Sequence, residues 1–332
     1  MGRQFCEAAF LRIVPPYLGL SDYHRLRVFD PTFTASERRQ FAGYRAEGQI
    51  DRAFNEMTSR MMVTDKVIFN TILASVTNRI PRRFLLYAET GSYSAFADCV
   101  TSADEARERI HEINCSFFAK PIRGASGRDA FAVERFDKTN DVLEMPHGYR
   151  HPFRKLKDIA SDTRNQGVLI EERLRPHPRF GTDTSGVSTI RIIVVRRAGN
   201  ASVPFATLRI PAGRNLTDTF SRGANGNLAA AIDVTNGRII RCVRFQGVDT
   251  QVITHHPDRE QQITGCQIPE FDEIIGDVKA GSSLFPDLGL QHWDVALTDN
   301  GPRILEMNVQ GDFDMHQMAY GRGILCGELD WL

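Results

Sequence analysis

Near the C-terminus, His292-Trp293-Asp294-Val295-Ala296 and Ile304-Leu305-Glu306-Met307-Asn308 flank the turn residues Asp299-Asn300-Gly301-Pro302. Acidic groups interrupt two otherwise apolar, strand-like runs. Glu306 and Asn308 are two residues apart, so on a strand they share one face while Leu305 and Met307 take the other. Whether Asp294 joins them depends on the turn. A two-residue type I′ turn at Asn300-Gly301 pairs Asp294 with Met307 and leaves the carboxylates on opposite faces. A three-residue Asp299-Asn300-Gly301 loop with a left-handed Gly301 sets Asp294 opposite Glu306. In the second case three hard oxygen donors converge, a set that suits the octahedral preference of Mg²⁺. Otherwise the acids are a surface ion pair or a capped turn.

Lys120 gives a second signal, because Gly124-Ala125-Ser126-Gly127 follows it. Two glycines let backbone N–H groups approach an anion, and the lysine adds a point charge. This is not a Walker A loop, and no Gly-x-Gly-x-x-Gly fingerprint follows a strand anywhere, so the common nucleotide folds are disfavoured. Val168-Leu169-Ile170 runs into Glu171-Glu172, and Arg191 and Arg209 each sit inside a β-branched or apolar run. An arginine there must find an anion or extend its head to water.

These residues need a sizeable scaffold to hold them. The chain has 332 residues, 41 Lys+Arg against 41 Asp+Glu, 42% hydrophobic and 25% charged residues. A balanced charge removes the global field on which general nucleic-acid and anionic-membrane binders rely, so neither partner is expected. Six cysteines lie scattered without a C-x-x-C pair, which reads as reduced thiols rather than a zinc site or disulfide framework. The N-terminal apolar patch is broken by Arg12 and is too short for a signal peptide or a membrane span; a cytoplasmic location is expected.

Along the chain, residues 1–62 show short amphipathic helical stretches without a chemical motif and read as an accessory lobe. From residue 63 the texture is α/β: a helix opening at Thr64-Asp65-Lys66, a strand at Phe84–Tyr87, a Ser102–Glu105 capping box opening a helix, and a strand at Phe117–Lys120. The second half recurs in strands with hairpin punctuation, Thr189–Val195 with Val203–Ile210 and Ala229–Val234 with Ile239–Val243, which predicts an antiparallel sheet. One helix around Phe271–Val278 precedes the last hairpin.

In order, Asp65-Lys66, Phe118-Ala119-Lys120-Pro121 with Gly124–Gly127, Val168–Glu172, Thr189-Ile190-Arg191, Asp294 and Glu306-Met307-Asn308 resemble the ATP-grasp superfamily. Ser188–Arg191, Leu208-Arg209-Ile210, Ile232-Asp233 with Asn236-Gly237, and Asp294–Leu297 with Gly301-Pro302 are most similar to its sugar-transfer-associated, glutamate-ligase-like branch. The likeness covers residues 63–332. It implies an α+β fold in which two α+β subdomains, 63–170 and 171–332, clasp ATP, with residues 1–62 a small helical lobe outside them. It further implies that Lys66 and Lys120 contact the α and β phosphates, that the Gly124 to Gly127 loop with Ser126 covers the triphosphate, and that Glu171, Glu172 and Leu174 form the adenine hinge. Asp294, Glu306 and Asn308 would hold Mg²⁺. Arg191 and Arg209 would face the γ-phosphate and an acyl-phosphate, with Arg222 and Asn225 as substrate or phosphate contacts. The chain departs from the family pattern at Asp129, where a further glycine is common, and the ribose ligand is open between His177 and Asp183. The implied activity is ATP-dependent carboxylate–amine ligation on small molecules; a kinase acting on a hydroxyl and a nucleotide-binding module without turnover are the alternatives.

Overall fold

The computed structural model describes residues 2–14, 17–124, 127–182, 186–213, 215, 217–246 and 249–330. Two compact units divide the chain: residues 62–175 form one, and residues 1–61 with 176–332 form the other. The N-terminal stretch thus falls in the same unit as the C-terminal sheet. Among the described residues, no helix is long and apolar enough to cross a membrane, and all six cysteines are free.

In chain order the helices α1 (Gly2–Ile13), α2 (Leu20–Arg25), α3 (Ala35–Arg39), α4 (Tyr44–Phe54), α5 (Met61–Thr64) and α6 (Lys66–Leu73) come first. There follow β1 (Arg83–Tyr87), β2 (Cys99–Val100), α7 (Ala103–Ile113), β3 (Phe117–Pro121), β4 (Phe131–Val133), β5 (Arg135–Asp137), β6 (Val142–Glu144), β7 (Arg150–Pro152), α8 (Arg154–Ser161) and β8 (Val168–Glu172). The remainder is β9 (Thr189–Arg197), β10 (Asn200–Ile210), β11 (Leu228–Ile232), β12 (Ile239–Gln246), β13 (Asp249–Ile253), α9 (Phe271–Ser282), β14 (Leu290–Ala296), β15 (Arg303–Asn308) and α10 (Phe313–Tyr320).

The 62–175 unit is built on a five-stranded sheet ordered β2-β1-β8-β3-β4, with a separate three-stranded sheet β5-β6-β7. Alternation sorts its residues cleanly. Leu85, Tyr87, Phe117, Ala119, Val168 and Ile170 turn to one face, where Ala106 and Ile110 of α7 and Leu156 and Ile159 of α8 complete the main core. Leu86 and Leu169 turn to the other, against Val67 of α6 and Ile122. Lys120 pairs with Leu169 and Phe118 with Glu171, so Lys120 and Glu171 share this second face. At α7, Ser102 accepts the Glu105 N–H at 3.2 Å; the full reciprocal box forms instead at Thr34 and Glu37, ahead of α3.

The other unit carries an antiparallel sheet ordered β13-β12-β11-β10-β9-β14-β15. On its apolar face Trp293 packs against Phe285, which follows α9; burying a phenylalanine of this kind contributes about 2 kcal/mol. The opposite face is divided. Ala229, Ala231 and Val243 lie under Met315, Met318 and Ala319 of α10 and under Ala8, Leu11 and Tyr23 of the N-terminal helices. Toward β14 and β15 the same face turns polar.

Candidate functional site

The register of β14 on β15 decides which oxygens meet. Thr298 and Gly301 close a two-residue turn over Asp299-Asn300, the Gly301 N–H donating to Thr298 O at 3.3 Å with Gly301 left-handed at φ 84°. Neither turn expected from the sequence forms. Ala296 pairs with Arg303 and Val295 with Ile304; Leu305 is then left over, and Asp294 pairs with Glu306, Trp293 with Met307 and His292 with Asn308. The two carboxylates therefore face the same side, brought there by a bulge at Leu305 rather than by a three-residue loop.

β9 and β10 supply the cations of this face. Arg191 lies opposite Asp294 and grips it with two bonds, Nε to Oδ1 at 2.8 Å and Nη2 to Oδ2 at 2.6 Å. Arg209 Nη2 stands 3.2 Å from Asp294 Oδ2, and its Nε stands 3.0 Å from Asp218 Oδ2. The Thr189 hydroxyl donates to Asp218 and accepts from Arg209. The result is an alternating row, Arg191–Asp294–Arg209–Asp218, in which every charge is buried or nearly so. Burial pushes the Asp294 carboxyl up, yet Arg191 and Arg209 together outweigh it and hold it well below the usual carboxylate range. The Arg191 guanidinium is raised in turn: burial opposes its charge, and Asp294 overrides that. Asp218 goes the other way, because burial raises it and Arg209 offsets only part.

Glu306 forms no ion pair among the described residues; its Oε1 accepts from Asn308 Nδ2 at 3.1 Å. That contact orients the amide so that the Asn308 oxygen is free to act as a donor to a cation. Two carboxylates and one amide oxygen on one sheet face fit a Mg²⁺ ion, which completes its shell with water and phosphate. Among the described residues, no group of three or more His, Cys, Asp and Glu side chains could hold a metal, so the amide is an essential member of the set. Beneath lie two buried histidines, His292 and His316. His292 is pushed down to about 3, by burial first and Arg191 second, and burial likewise pushes His316 well below its ordinary value. His316 Nδ1 is 2.8 Å from the Thr207 hydroxyl.

At the start of α10 the same unit gathers Asp312, Asp314 and Glu47. Burial, then Asp312 and Asp314, raise Glu47 to about 8; burial and Asp312 raise Asp314 to about 6. Arg222 stands 3.2 Å from Asp314 and is half-exposed, on a left-handed stretch in which Ser221 and Arg222 have φ of 46° and 56°. Asn225 is committed to its own loop: its Nδ2 donates to Thr219 O and its Oδ1 accepts the Asn227 N–H at 3.2 Å.

In the 62–175 unit, Asp65 caps α6 and places Lys66 at its first turn. Lys66 Nζ donates to Gly124 O at 2.9 Å, and Lys120 Nζ pairs with Glu171 Oε1 at 2.6 Å. Among the described residues Glu171 Oε2 is buried with no hydrogen-bond partner, an acceptor turned to the same face as both lysines. Glu172 alternates away from them, its Oε1 accepting the Arg82 N–H at 2.9 Å, and Leu174 lies half-buried beyond the strand. Gly127 is left-handed at φ 67°, and Asp129 repeats that conformation at φ 58°; aspartate tolerates it better than most residues, which accounts for Asp129 at a position where glycine is common. Ser126 and Asp183 lie outside the described residues. His177 borders a small cavity with Leu297, Thr298 and Asp299.

The sequence reading missed Asp218, Thr189 and Glu47 as charge-setting neighbours. Asp218 reaches Arg209 from the loop after β10, and Glu47 joins Asp312 and Asp314 from a helix far away in sequence; no local spacing marks either. Thr189 was visible as the residue two before Arg191 on one strand face.

The profile of the sugar-transfer associated ATP-grasp family matches residues 45–329. No curated protein matches the chain. Among solved structures it is similar to the ATP-grasp ligase PsnB complexed with minimal precursor, Mg and ADP, at 14% identity and TM-score 0.38, covering 78% of this chain and 54% of that one. It is also similar to D-alanyl-alanine synthetase A from Vibrio cholerae, at 13% identity and TM-score 0.44, covering 81% and 63%, and to an L-amino acid ligase from Bacillus licheniformis, at 12% and 0.38, covering 76% and 42%. The chain thus spans about half the length of PsnB.

Proposed function

The chain belongs to the sugar-transfer associated ATP-grasp family and has its α+β fold, and from that premise we propose that it is an ATP-dependent carboxylate–amine ligase. A substrate carboxylate oxygen attacks the γ-phosphorus of ATP, the bond to the β–γ bridging oxygen breaks, and ADP leaves. The amine then attacks the acyl carbon, phosphate leaves, and the amine loses a proton as the amide forms. The observation that carries this reading is Asp294 directly opposite Glu306, with Asn308 on the same face.

In this scheme Asp294, Glu306 and Asn308 would hold Mg²⁺, which would neutralise charge on the phosphate oxygens. Lys66 and Lys120 neutralise the α and β phosphates, and the orphaned Glu171 Oε2 accepts an N–H of the adenine. Arg191 and Arg209 stabilise negative charge on the transferring phosphoryl group and the acyl-phosphate. Phosphoryl transfer demands positioning and charge more than covalent help, which is what buried, mutually braced ions provide. Arg222, half-exposed beside Asp314, is a contact for the substrate acid.

The test is an ADP-release screen pairing acids with amines, with Glu306→Gln as the blank, followed by labelling the accepted acid with heavy oxygen. Ligation transfers one labelled oxygen to the released phosphate. A phosphorylated product that persists, or phosphate free of label, contradicts it.

A further inference from the structure

Resting on the nucleotide reading, we propose that Tyr93, Asp65 and Arg123 are positioning residues that fix Lys66 and the first leg of the glycine loop as one body for phosphate binding. Asp65 is fully buried and divides its two oxygens between two tasks. Oδ1 accepts the Val67 and Ile68 N–H groups at 3.1 Å each, capping α6. Oδ2 accepts from Arg123 Nε at 2.9 Å and from the Tyr93 hydroxyl.

Arg123 is the residue before Gly124, and the backbone closes the same joint. Asp65 and Arg123 form an antiparallel bridge, the Lys66 N–H donates to Ile122 O at 3.2 Å, and Lys66 Nζ reaches Gly124 O at 2.9 Å. A helix start and a loop start, 58 residues apart in sequence, are thereby joined through one carboxylate. Tyr93 is the outside brace. Its backbone is left-handed at φ 66°, a conformation that a bulky residue keeps only where its surroundings over-determine it. Those surroundings are its ring, packed on the cluster of Val67, Leu86, Ile122 and Leu169, and its hydroxyl on Asp65. Neither Tyr93 nor Arg123 need touch a nucleotide; they act through the position of Lys66 and the loop.

The experiment uses the full chain with Tyr93→Phe, which removes one oxygen and leaves the ring, and Asp65→Asn, which keeps the cap acceptor and removes the charge. Backbone hydrogen exchange is measured at Lys66, Val67 and Ile68 without ligand, and ADP with Mg²⁺ is titrated by calorimetry. Tyr93→Phe is expected to speed exchange at those three amides about tenfold, to leave the Ala119 amide of β3 unchanged, and to weaken ADP binding about tenfold. Asp65→Asn is expected to have a larger effect on both. Unchanged exchange, faster exchange across the whole unit, or unaltered ADP affinity overturns the proposal. If the wild-type chain binds no ADP at millimolar concentration, the nucleotide reading itself fails, whereas the exchange rates, measured without ligand, still report the state of the joint.

Discussion

The polar face of the seven-stranded sheet and the glycine-loop region of residues 62–175 hold charge by different means. On the sheet, strand register fixes Arg191 opposite Asp294 and Asp294 opposite Glu306, and the ions are buried. In the loop region, the root is a buried joint at Asp65–Arg123, but the far leg is held by one tether, Asp129–Lys155 at 2.5 Å, where both side chains are about a third exposed. A site fixed by backbone pairing keeps its geometry without a ligand, whereas a site on a loop depends on single contacts that solvent weakens. The sheet thus holds its charges rigidly, and the outer part of the loop region holds its own adaptably.

Breaking one ion pair in each region should expose this contrast. Asp294→Asn leaves Arg191 and Arg209 buried with half their compensation, and a loss of about 3–5 kcal/mol is expected in denaturant unfolding of the sheet unit. A loss below about 1 kcal/mol would mean that water reaches those arginines. Next in size is the acidic group at α10. Glu47 holds its proton in the folded chain up to about 8 against an ordinary value of 4.5, and Asp314 up to about 6 against 3.8. Both folded values are raised, so the folded state binds more protons and stability falls as pH rises through 3.8–8. Glu47→Gln should remove much of that slope and stabilise the chain at pH 8.5 by on the order of 2 kcal/mol, after allowance for its partial exposure. A slope unchanged in thermal melts between pH 5 and 8.5 would contradict it. Smallest is Lys155→Ala, worth less than about 1 kcal/mol because the pair is solvated; a larger shift would place the loop tether in the same class as the sheet pairs.

The two regions also differ in how far the sequence discloses them. Alternation placed Glu306 with Asn308 and made Arg191 conspicuous inside Thr189–Val195, because a period of two needs no knowledge of partners. The turn was not legible: either reading of Asp299-Asn300-Gly301 satisfied local chemistry, and the deciding feature, a bulge at Leu305, carries no glycine to mark it. The helix opening at Asp65 was readable from its cap. The joint it makes with Arg123 and Tyr93 was not, since contacts 58 and 28 residues apart leave no periodic trace. Glu172 shows the same limit from the other side. Adjacent to Glu171, it is turned by strand alternation to the opposite face and to Arg82.

One ribbon, β14 with β15, is proposed to bring Asp294, Glu306 and Asn308 to a common ion. Titrating Mn²⁺, as a paramagnetic stand-in for Mg²⁺, against the full chain with ATP and following it by electron paramagnetic resonance tests this most directly. Wild type should bind the ion with an affinity that Glu306→Gln and Asn308→Ala each weaken by about tenfold or more. Undiminished Mn²⁺ binding in both variants would contradict it.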